Sequence, residues 1–257
     1  MLLYFSGTGN SRWVAGELAQ LRQEGLYAVT DVLAGKGPSV LAEGEALGFV
    51  FPVYSWGPPA IVLQALDGLS LDAPPSFLYF VCTCGDDTGK TASLFVQAAK
   101  KKGWECKAGY SVTMPNTYVC LPGFDVDPES LERKKLEEAM ARVTQVAGYI
   151  EERRPGFDCH EGSVPWLKSY VIRPLFNVFL TSPKGFHVTE DCIRCGVCEK
   201  VCPVHNIRLE EKPRWGNHCT MCLSCYHHCP KHAVMYGNQT KKKGQYVCRL
   251  KQSLGRD

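Results

Sequence analysis

The stretch Leu2-Leu3-Tyr4-Phe5-Ser6-Gly7-Thr8-Gly9-Asn10-Ser11 predicts how the first half of the chain folds. A short apolar run ends in a glycine-rich turn, and apolar residues then recur at helical spacing, at Trp13, Val14, Leu18 and Leu21. In such a turn, hydroxyls and free backbone N–H groups converge at a helix N-terminus, which is a site suited to a phosphate. The stretch therefore predicts a strand, a phosphate-binding turn and a helix.

Alternating strand and helix patterns continue to about residue 154. Further strands are predicted at 28–32, 46–53, 76–83 and 106–114, and helices at 88–102 and 128–153, the last with Asp127 as its N-cap. Strands that alternate with helices imply a parallel sheet with helices on both faces. We predict an α/β fold with a doubly wound, parallel, five-stranded sheet over residues 1–154, followed by a linker at 155–185 that packs between domains.

The second half contains an internal repeat. Cys192, Cys195, Cys198 and Cys202 recur 27 residues later as Cys219, Cys222, Cys225 and Cys229, and a proline follows each fourth cysteine. Two intervening residues let the thiolates of a tight loop converge on one inorganic cluster. The alternative is zinc, which also accepts four cysteines, but usually from two separate C-x2-C pairs. The repeat therefore predicts iron–sulfur clusters.

The repeat resembles the bacterial two-cluster ferredoxins over residues 186–237, a small α+β domain. The resemblance implies that one [4Fe-4S] cluster is held by Cys192, Cys195, Cys198 and Cys229. It implies that the second [4Fe-4S] cluster is held by Cys219, Cys222, Cys225 and Cys202. Residues 238–257, which include Lys241-Lys242-Lys243, are predicted to be a mobile basic tail.

The turn Ser6-Gly7-Thr8-Gly9-Asn10-Ser11 resembles the phosphate loop of flavodoxins, which bind FMN. Two further stretches lie where flavodoxins carry the loops that hold the flavin ring, Pro52-Val53-Tyr54-Ser55-Trp56-Gly57 and Thr83-Cys84-Gly85-Asp86-Asp87-Thr88-Gly89. The resemblance implies that these three stretches bind FMN, with Trp56 or Tyr54 stacked on the ring. The second ring loop has no aromatic residue, so one flavin face is expected to be open or covered by the iron–sulfur domain. The competing interpretation is a flavodoxin-like sheet that has lost its flavin.

One stretch imitates a nucleotide-binding loop. Gly85 to Thr91 ends in Gly-Lys-Thr, but Cys84 stands where the first glycine of such a loop belongs. Asp86 and Asp87 would also repel a triphosphate. Nucleotide hydrolysis is therefore not favoured.

Composition and charge limit the classes of protein to which this chain can belong. The chain has 257 residues, a formal net charge of +3 and 14 cysteines. Clustered thiolates and a flavin phosphate would make the loaded protein more negative, so the charge does not indicate a nucleic-acid partner. No apolar run reaches the roughly 20 residues that span a bilayer. The longest, Val164 to Leu180, is interrupted by Lys168, Arg173 and Pro174. No signal peptide precedes the first strand, and we predict a cytoplasmic location.

Both halves together resemble fused proteins of anaerobic bacteria and archaea, with a flavodoxin-like domain ahead of a two-cluster ferredoxin domain. The resemblance implies an electron-transfer protein that passes low-potential electrons between two clusters, FMN and a redox protein partner. The alternative is an iron–sulfur flavoprotein reductase that acts on a small oxidant at an exposed flavin face. No residue arrangement for acid–base or nucleophilic catalysis is visible. No separate NAD(P)H site is visible either, so neither nicotinamide is expected to reduce the protein directly.

Overall fold

The computed structural model describes residues 1–38, 40–42, 44–179 and 181–250. Residues 251–257 of the predicted tail, and Leu180 at the end of the apolar run, lie outside the described residues. None of the helices in these ranges combines the length and the apolar character needed to cross a bilayer.

The first half forms a parallel sheet whose six strands follow the order β2-β1-β3-β4-β5-β6. The reversal of strand order falls between β1 and β3, where the carboxyl ends of strands in open α/β sheets leave a crevice for ligands. The strands are β1 Leu2–Tyr4, β2 Leu26–Ala28, β3 Ala46–Pro52, β4 Phe77–Cys84, β5 Cys106–Thr113 and β6 Gly156–Asp158.

The prediction of five strands was wrong, because the segment assigned to the linker supplies a sixth. β6 is only three residues long and all three are exposed, so it has no alternating pattern by which a sequence could reveal it. Phe157 on β6 stacks with Phe80 on β4, with ring centroids 6.3 Å apart. The contact crosses Gly109 on β5, where a Cβ atom would lie 2.2 Å from the Phe80 ring. The predicted strand at 28–32 was also wrong, because β2 covers Leu26–Ala28 and residues 29–33 form a helix.

Helices cover both faces of the sheet, in two apolar cores. The first core joins α1 and α5 to one face, and the second joins α3 and α4 to the other. Pro128, rather than the predicted Asp127, is the N-cap of α5. The helices are α1 Asn10–Leu21, α2 Val29–Leu33, α3 Ala60–Gly68, α4 Thr91–Lys101 and α5 Glu129–Glu151.

A helical segment at residues 165–179, here called the connecting helix, links the two halves. It consists of α6 Pro165–Leu167, a π-helical turn at Lys168–Ile172 and α7 Arg173–Phe179. Pro174 has no N–H to donate and its ring would crowd the preceding turn, so a wider turn before it relieves the clash. The π turn brings Lys168, Ser169 and Arg173 against the loops of the sheet.

The cysteine-rich region is a small α+β unit. β7 Phe186–Val188 pairs antiparallel with β10 Val234–Tyr236, and β8 Ile207–Leu209 pairs antiparallel with β9 Pro213–Trp215. Two one-turn helices complete it, α8 Val197–Lys200 and α9 Ser224–His227. A short 3-10 helix, Pro183–Gly185, precedes it.

Residues 240–250 form a strap between the two halves, where the sequence predicted a mobile tail. The Lys243 Nζ donates to the Val119 carbonyl at 2.8 Å. Tyr246 Oη donates to Asn10 Oδ1 at 2.8 Å, and the Cys248 N–H donates to the Thr8 carbonyl at 2.9 Å. The tail prediction was wrong for these residues because buried Tyr246 contributes apolar surface after the lysine run.

Candidate functional site

Each predicted set of four cysteines lines one small cavity. The first cavity is lined by Cys192, Cys195, Cys198 and Cys229. The second is lined by Cys202, Cys219, Cys222 and Cys225. The fourth cysteine of each repeat thus lies with the first three cysteines of the other repeat.

The backbone of the two cysteine loops repeats as closely as the sequence does. Left-handed φ values recur at matching positions 27 residues apart, first at Arg194 (56°) and Met221 (54°). They recur again at His205 (50°) and His232 (49°). Non-glycine residues rarely adopt this conformation. Its recurrence indicates that both loops are held in the same wrapped shape.

The surroundings of these thiols disfavour a free thiolate. Burial raises the pKa of Cys198 to about 11 and that of Cys222 to about 12. Such thiols stay protonated at neutral pH unless a positive core stabilises their thiolates. Backbone N–H groups donate to sulfur at equivalent places, from Asn206 to Cys202 Sγ and from Ala233 to Cys229 Sγ, both at 3.2 Å. Hydrogen bonds of this kind tune the reduction potential of a cluster.

The glycine loop presents free donors at the start of α1. The N–H groups of Gly7, Thr8, Asn10, Ser11 and Arg12 have no hydrogen-bond acceptor within the described ranges. Side-chain hydrogen bonds hold the loop in place. Ser6 Oγ accepts from the Gly9 N–H at 3.2 Å, and Ser11 Oγ lies 2.8 Å from Thr83 Oγ1. Unsatisfied N–H groups at a helix N-terminus suit an anion, so these residues fit the phosphate of FMN.

The first ring loop is a strained turn held by the connecting helix. Tyr54 and Gly57 exchange backbone hydrogen bonds of 2.9 and 3.2 Å around Ser55 and Trp56, whose φ values are 48° and 58°. Two adjacent non-glycine residues in this region cost about 1 kcal/mol or more each. Ser169 Oγ donates to the Trp56 carbonyl at 2.8 Å and holds the turn in place. Trp56 is thereby positioned beside the cavity described below.

The second ring loop is held by the connecting helix and by the chain just before it. Lys168 Nζ forms an ion pair with Asp87 Oδ2 at 2.5 Å, and the Thr88 N–H donates to the His160 carbonyl at 2.8 Å. Burial raises the pKa of Cys84 to about 12, so this thiol is neutral and apolar at neutral pH. The second ring loop contains no aromatic residue.

One cavity of about 1230 Å³ joins these parts. Most of the predicted flavin residues line it, namely Ser6, Thr8, Asn10, Ser11, Pro52, Val53, Tyr54, Ser55, Trp56, Thr83, Cys84, Gly85 and Asp86. Gly9, Gly57 and Gly89 do not line it. Each of these glycines packs against another part of the chain, respectively Cys248, Arg173 and the pair Trp56 and Ser169.

The second cysteine loop lines the same cavity, through residues 218–223. It touches the glycine loop directly, because a Cβ atom at Gly7 would lie 2.5 Å from the Cys222 carbonyl oxygen. Burial first, and then the nearby Cys222 and Cys219, raise the pKa of Tyr54 well above its ordinary value. The phosphate loop, a ring loop and the second cysteine set therefore meet at one place.

A buried histidine also ties the two halves together. His227 Nε2 donates to the Thr117 carbonyl at 2.8 Å, and His227 Nδ1 accepts the Tyr246 N–H at 3.2 Å. Burial lowers the pKa of His227 to about 4, so the ring is neutral and can both donate and accept.

Several residues of the cavity wall were missed from the sequence. Tyr118 and Phe124 follow β5, and Arg173 and Phe176 lie on the connecting helix. The Tyr118 ring lies 5.5 Å from that of Phe124 and 5.8 Å from that of Phe176. These residues place aromatic side chains in the cavity wall, whereas the second ring loop contains no aromatic residue. The only signal in the sequence was the aromatic richness of residues 155–185, which did not indicate which side chains would face the loops.

Asn116, another wall residue, is held by a buried ion pair. Lys135 Nζ lies 2.7 Å from Asp127 Oδ2, with side-chain exposures of 8% and 7%. The Asn116 N–H and Nδ2 donate to the same carboxylate at 3.0 and 3.1 Å. Burial acts to raise the pKa of Asp127, but the hydrogen bonds from Lys135 and Asn116 outweigh it and lower that pKa.

We expect Asp127→Asn to lower the free energy of unfolding by about 3 kcal/mol, because buried Lys135 then keeps only the exposed Asp86 carboxylate, 3.9 Å away, as a counter-ion. The measurement is urea unfolding at pH 7. The contribution of the wild-type pair is complete above about pH 4 and is lost as the pH falls through the lowered pKa. Glu138→Gln is the control, since Glu138 forms its ion pair with exposed Lys134 on the same helix. A loss for Asp127→Asn no larger than that of this control would contradict the prediction.

Comparison with known proteins identifies the class of the second region. Residues 186–208 match the model of the 4Fe-4S binding domain. The match contains Cys192, Cys195, Cys198 and Cys202. The chain therefore carries a ferredoxin-type 4Fe-4S domain, whose chemistry is electron transfer.

Among solved structures, the chain is similar to the one titled "The Structure of Trp Repressor Binding Protein from Bacillus subtilis". The identity is 15% and the TM-score 0.36, over 60% of this chain and 99% of that chain. A search of curated proteins finds no match.

Proposed function

We propose that the chain is an electron-transfer flavo-iron–sulfur protein. Residues 1–154 would form the FMN domain and residues 186–237 a ferredoxin domain with two [4Fe-4S] clusters. The observation that carries the proposal is the shared cavity, lined by both the glycine loop and the second cysteine loop. Bound FMN would hold one or two electrons and each cluster would carry one, so the chain can exchange single electrons with a redox protein.

The residues of the chain have separate tasks in this proposal. The N–H groups of the glycine loop bind the phosphate, and Trp56 and Tyr54 contact the ring. Ser169 and Lys168 keep the ring loops closed against the connecting helix, which excludes water from one side. The first cysteine set lies on the outside of the protein, where Cys195 is exposed and Ile193 is 58% exposed. We propose this outer set as the entry point for electrons from a protein partner.

The direct test is cofactor content. Protein purified anaerobically is expected to release about one FMN on acid treatment and to contain about eight iron atoms per chain. Zinc in place of iron would overturn the cluster assignment. Absence of flavin, even after incubation with FMN, would leave an iron–sulfur protein with a docking domain. In either arm, neither NADH nor NADPH alone is expected to bleach the protein, and rapid bleaching would contradict that expectation.

A second candidate is a reductase that acts on a small oxidant. The size of the cavity favours it, since single small-molecule sites usually measure about 300–1,000 Å³ and this one exceeds that range. Turnover with a small acceptor in the absence of any protein partner would distinguish this candidate from the carrier.

A further inference from the structure

Two buried polar atoms in the wall of the second cysteine cavity have no hydrogen-bond partner within the described ranges. They are Trp215 Nε1 and Thr220 Oγ1. A buried donor without an acceptor is costly, and few such groups occur in folded proteins. The same wall includes all four cysteines of the second set, whose sulfur atoms are strong acceptors once they are thiolates.

Each donor acts on one particular sulfur. Burial raises the pKa of Cys225 well above its ordinary value, and the nearby Trp215 N–H acts against this rise. Burial also raises the pKa of Cys222 to about 12, and the Ser224 N–H and the Thr220 hydroxyl act against that rise. Neither donor needs access to the open cavity, because its acceptor is the sulfur of a neighbouring cysteine. A protonated thiol is a weak acceptor, so both hydrogen bonds become strong only with thiolates.

The fold of the protein holds both donors in place. The Trp215 ring stacks with that of Phe186, with centroids 5.5 Å apart and 11° between the ring planes. The Trp215 backbone pairs with Ile207 on the neighbouring strand. Thr220 lies between Cys219 and Cys222 in one tight loop. Packing and the loop therefore position the two donors beside the second set.

The first cysteine set has apolar residues at the equivalent positions. Across the repeat of 27 residues, position 215 corresponds to Val188 and position 220 to Ile193. Both of these residues line the first cavity, and neither side chain can donate a hydrogen bond. Backbone N–H groups donate to sulfur in both repeats. The two side-chain donors therefore distinguish the second set from the first.

The second set lies in surroundings that disfavour added negative charge. Cys225 is buried, whereas Cys195 of the first set is exposed. The glycine loop, which we propose to bind the phosphate of FMN, touches Cys222 through Gly7. Burial and a nearby anion both oppose the arrival of an electron. Hydrogen bonds to the sulfur atoms favour the more negative, reduced state and so offset both effects.

We propose that Trp215 and Thr220 raise the reduction potential of the second cluster. Trp215 donates to the Cys225 thiolate, and Thr220 donates to the Cys222 thiolate. Both act through the cysteine sulfurs and do not bind iron, so they are positioning residues. The inference rests on the proposed function and deepens it, because it explains how the buried cluster can accept electrons from the exposed one.

The test is a redox titration of the anaerobic, iron-loaded protein, followed by the electron paramagnetic resonance of the reduced clusters. Thr220→Val removes the hydroxyl at nearly constant volume, and Trp215→Phe removes the N–H but keeps an aromatic ring against Phe186. Each variant is expected to lower the equilibrium constant for reduction of the second cluster by up to about tenfold, which is about 59 mV for a one-electron couple. Thr220→Ser, which keeps a hydroxyl, should restore the wild-type potential.

Matched controls make the same replacements elsewhere. Thr144→Val, at an exposed position on α5, and Trp104→Phe, after α4, should leave both cluster potentials unchanged. The shift caused by Thr220→Val should persist in protein that also carries Cys195→Ala, since that change removes the outer cluster. This comparison assigns the shifted potential to the second set.

Iron and flavin are counted in every sample, so that the two proposals can fail separately. Zinc in wild type, or fewer than about eight iron atoms per chain, contradicts the proposed function and the inference with it. Wild type with about eight iron atoms, whose two variants keep both wild-type potentials, overturns the inference alone. An equal shift of both clusters, or loss of iron from both variants, overturns it too, because the side chains would then support the fold of the domain or the binding of a cluster.

Discussion

Replacing Cys222 with alanine is expected to halve the iron content, from about eight to about four atoms per chain, while the flavin site remains. Cys222 lines the second cysteine cavity and also touches Gly7, so it stands between that set and the flavin loops. Without the second cluster an electron must travel from the outer set to the flavin in one longer step. Flavin reduction by a reduced one-electron donor protein should therefore be strongly slowed, as measured by anaerobic stopped-flow absorbance.

Two companion variants make this result specific. Cys159→Ala removes a cysteine outside both sets and should keep all the iron. Cys195→Ala should also halve the iron, but at the outer set, and should mainly impair reaction with the donor protein. If Cys222→Ala reduces its flavin as fast as wild type, the second set does not lie on the route to the flavin.

Gly7→Ala is expected to separate the glycine loop from the cysteine loop. The new Cβ atom would lie 2.5 Å from the Cys222 carbonyl oxygen and 2.9 Å from its Cβ. Backbone cannot move aside as a flexible side chain can, and overpacking of this kind costs about 1–3 kcal/mol. We expect a loss of this size in the free energy of unfolding and about tenfold weaker FMN binding, since about 1.4 kcal/mol corresponds to a factor of ten.

Gly148→Ala is the matched control for Gly7→Ala. Gly148 lies within α5, and a Cβ atom there would have no neighbour within 4 Å. Alanine is favoured over glycine inside a helix by up to about 1 kcal/mol, so this variant should be slightly stabilised and bind FMN normally. Unchanged FMN affinity in Gly7→Ala would show that contact with the cysteine loop does not support the flavin site.

Local patterns in the sequence predicted the sheet and the cysteine-rich domain. Alternating strand and helix patterns predicted the parallel sheet, although not its sixth strand. The spacing of the cysteines predicted the ferredoxin-type domain, whereas the assignment of four cysteines to each cluster stays a prediction. These features are legible because a tight loop or a strand places its own side chains within a few residues, so that short-range spacing determines which atoms converge.

The arrangement of the cavity wall depended on contacts between distant parts of the chain. Arg173 reaches Pro58, Tyr118 meets Phe176, and Tyr246 joins Asn10 across 236 residues. No periodicity marks such partners, because each contact depends on how whole elements pack and not on the spacing of neighbours. The tertiary structure alone placed the connecting helix over the ring loops, the strap beside the glycine loop and Arg173 in the wall of the cavity.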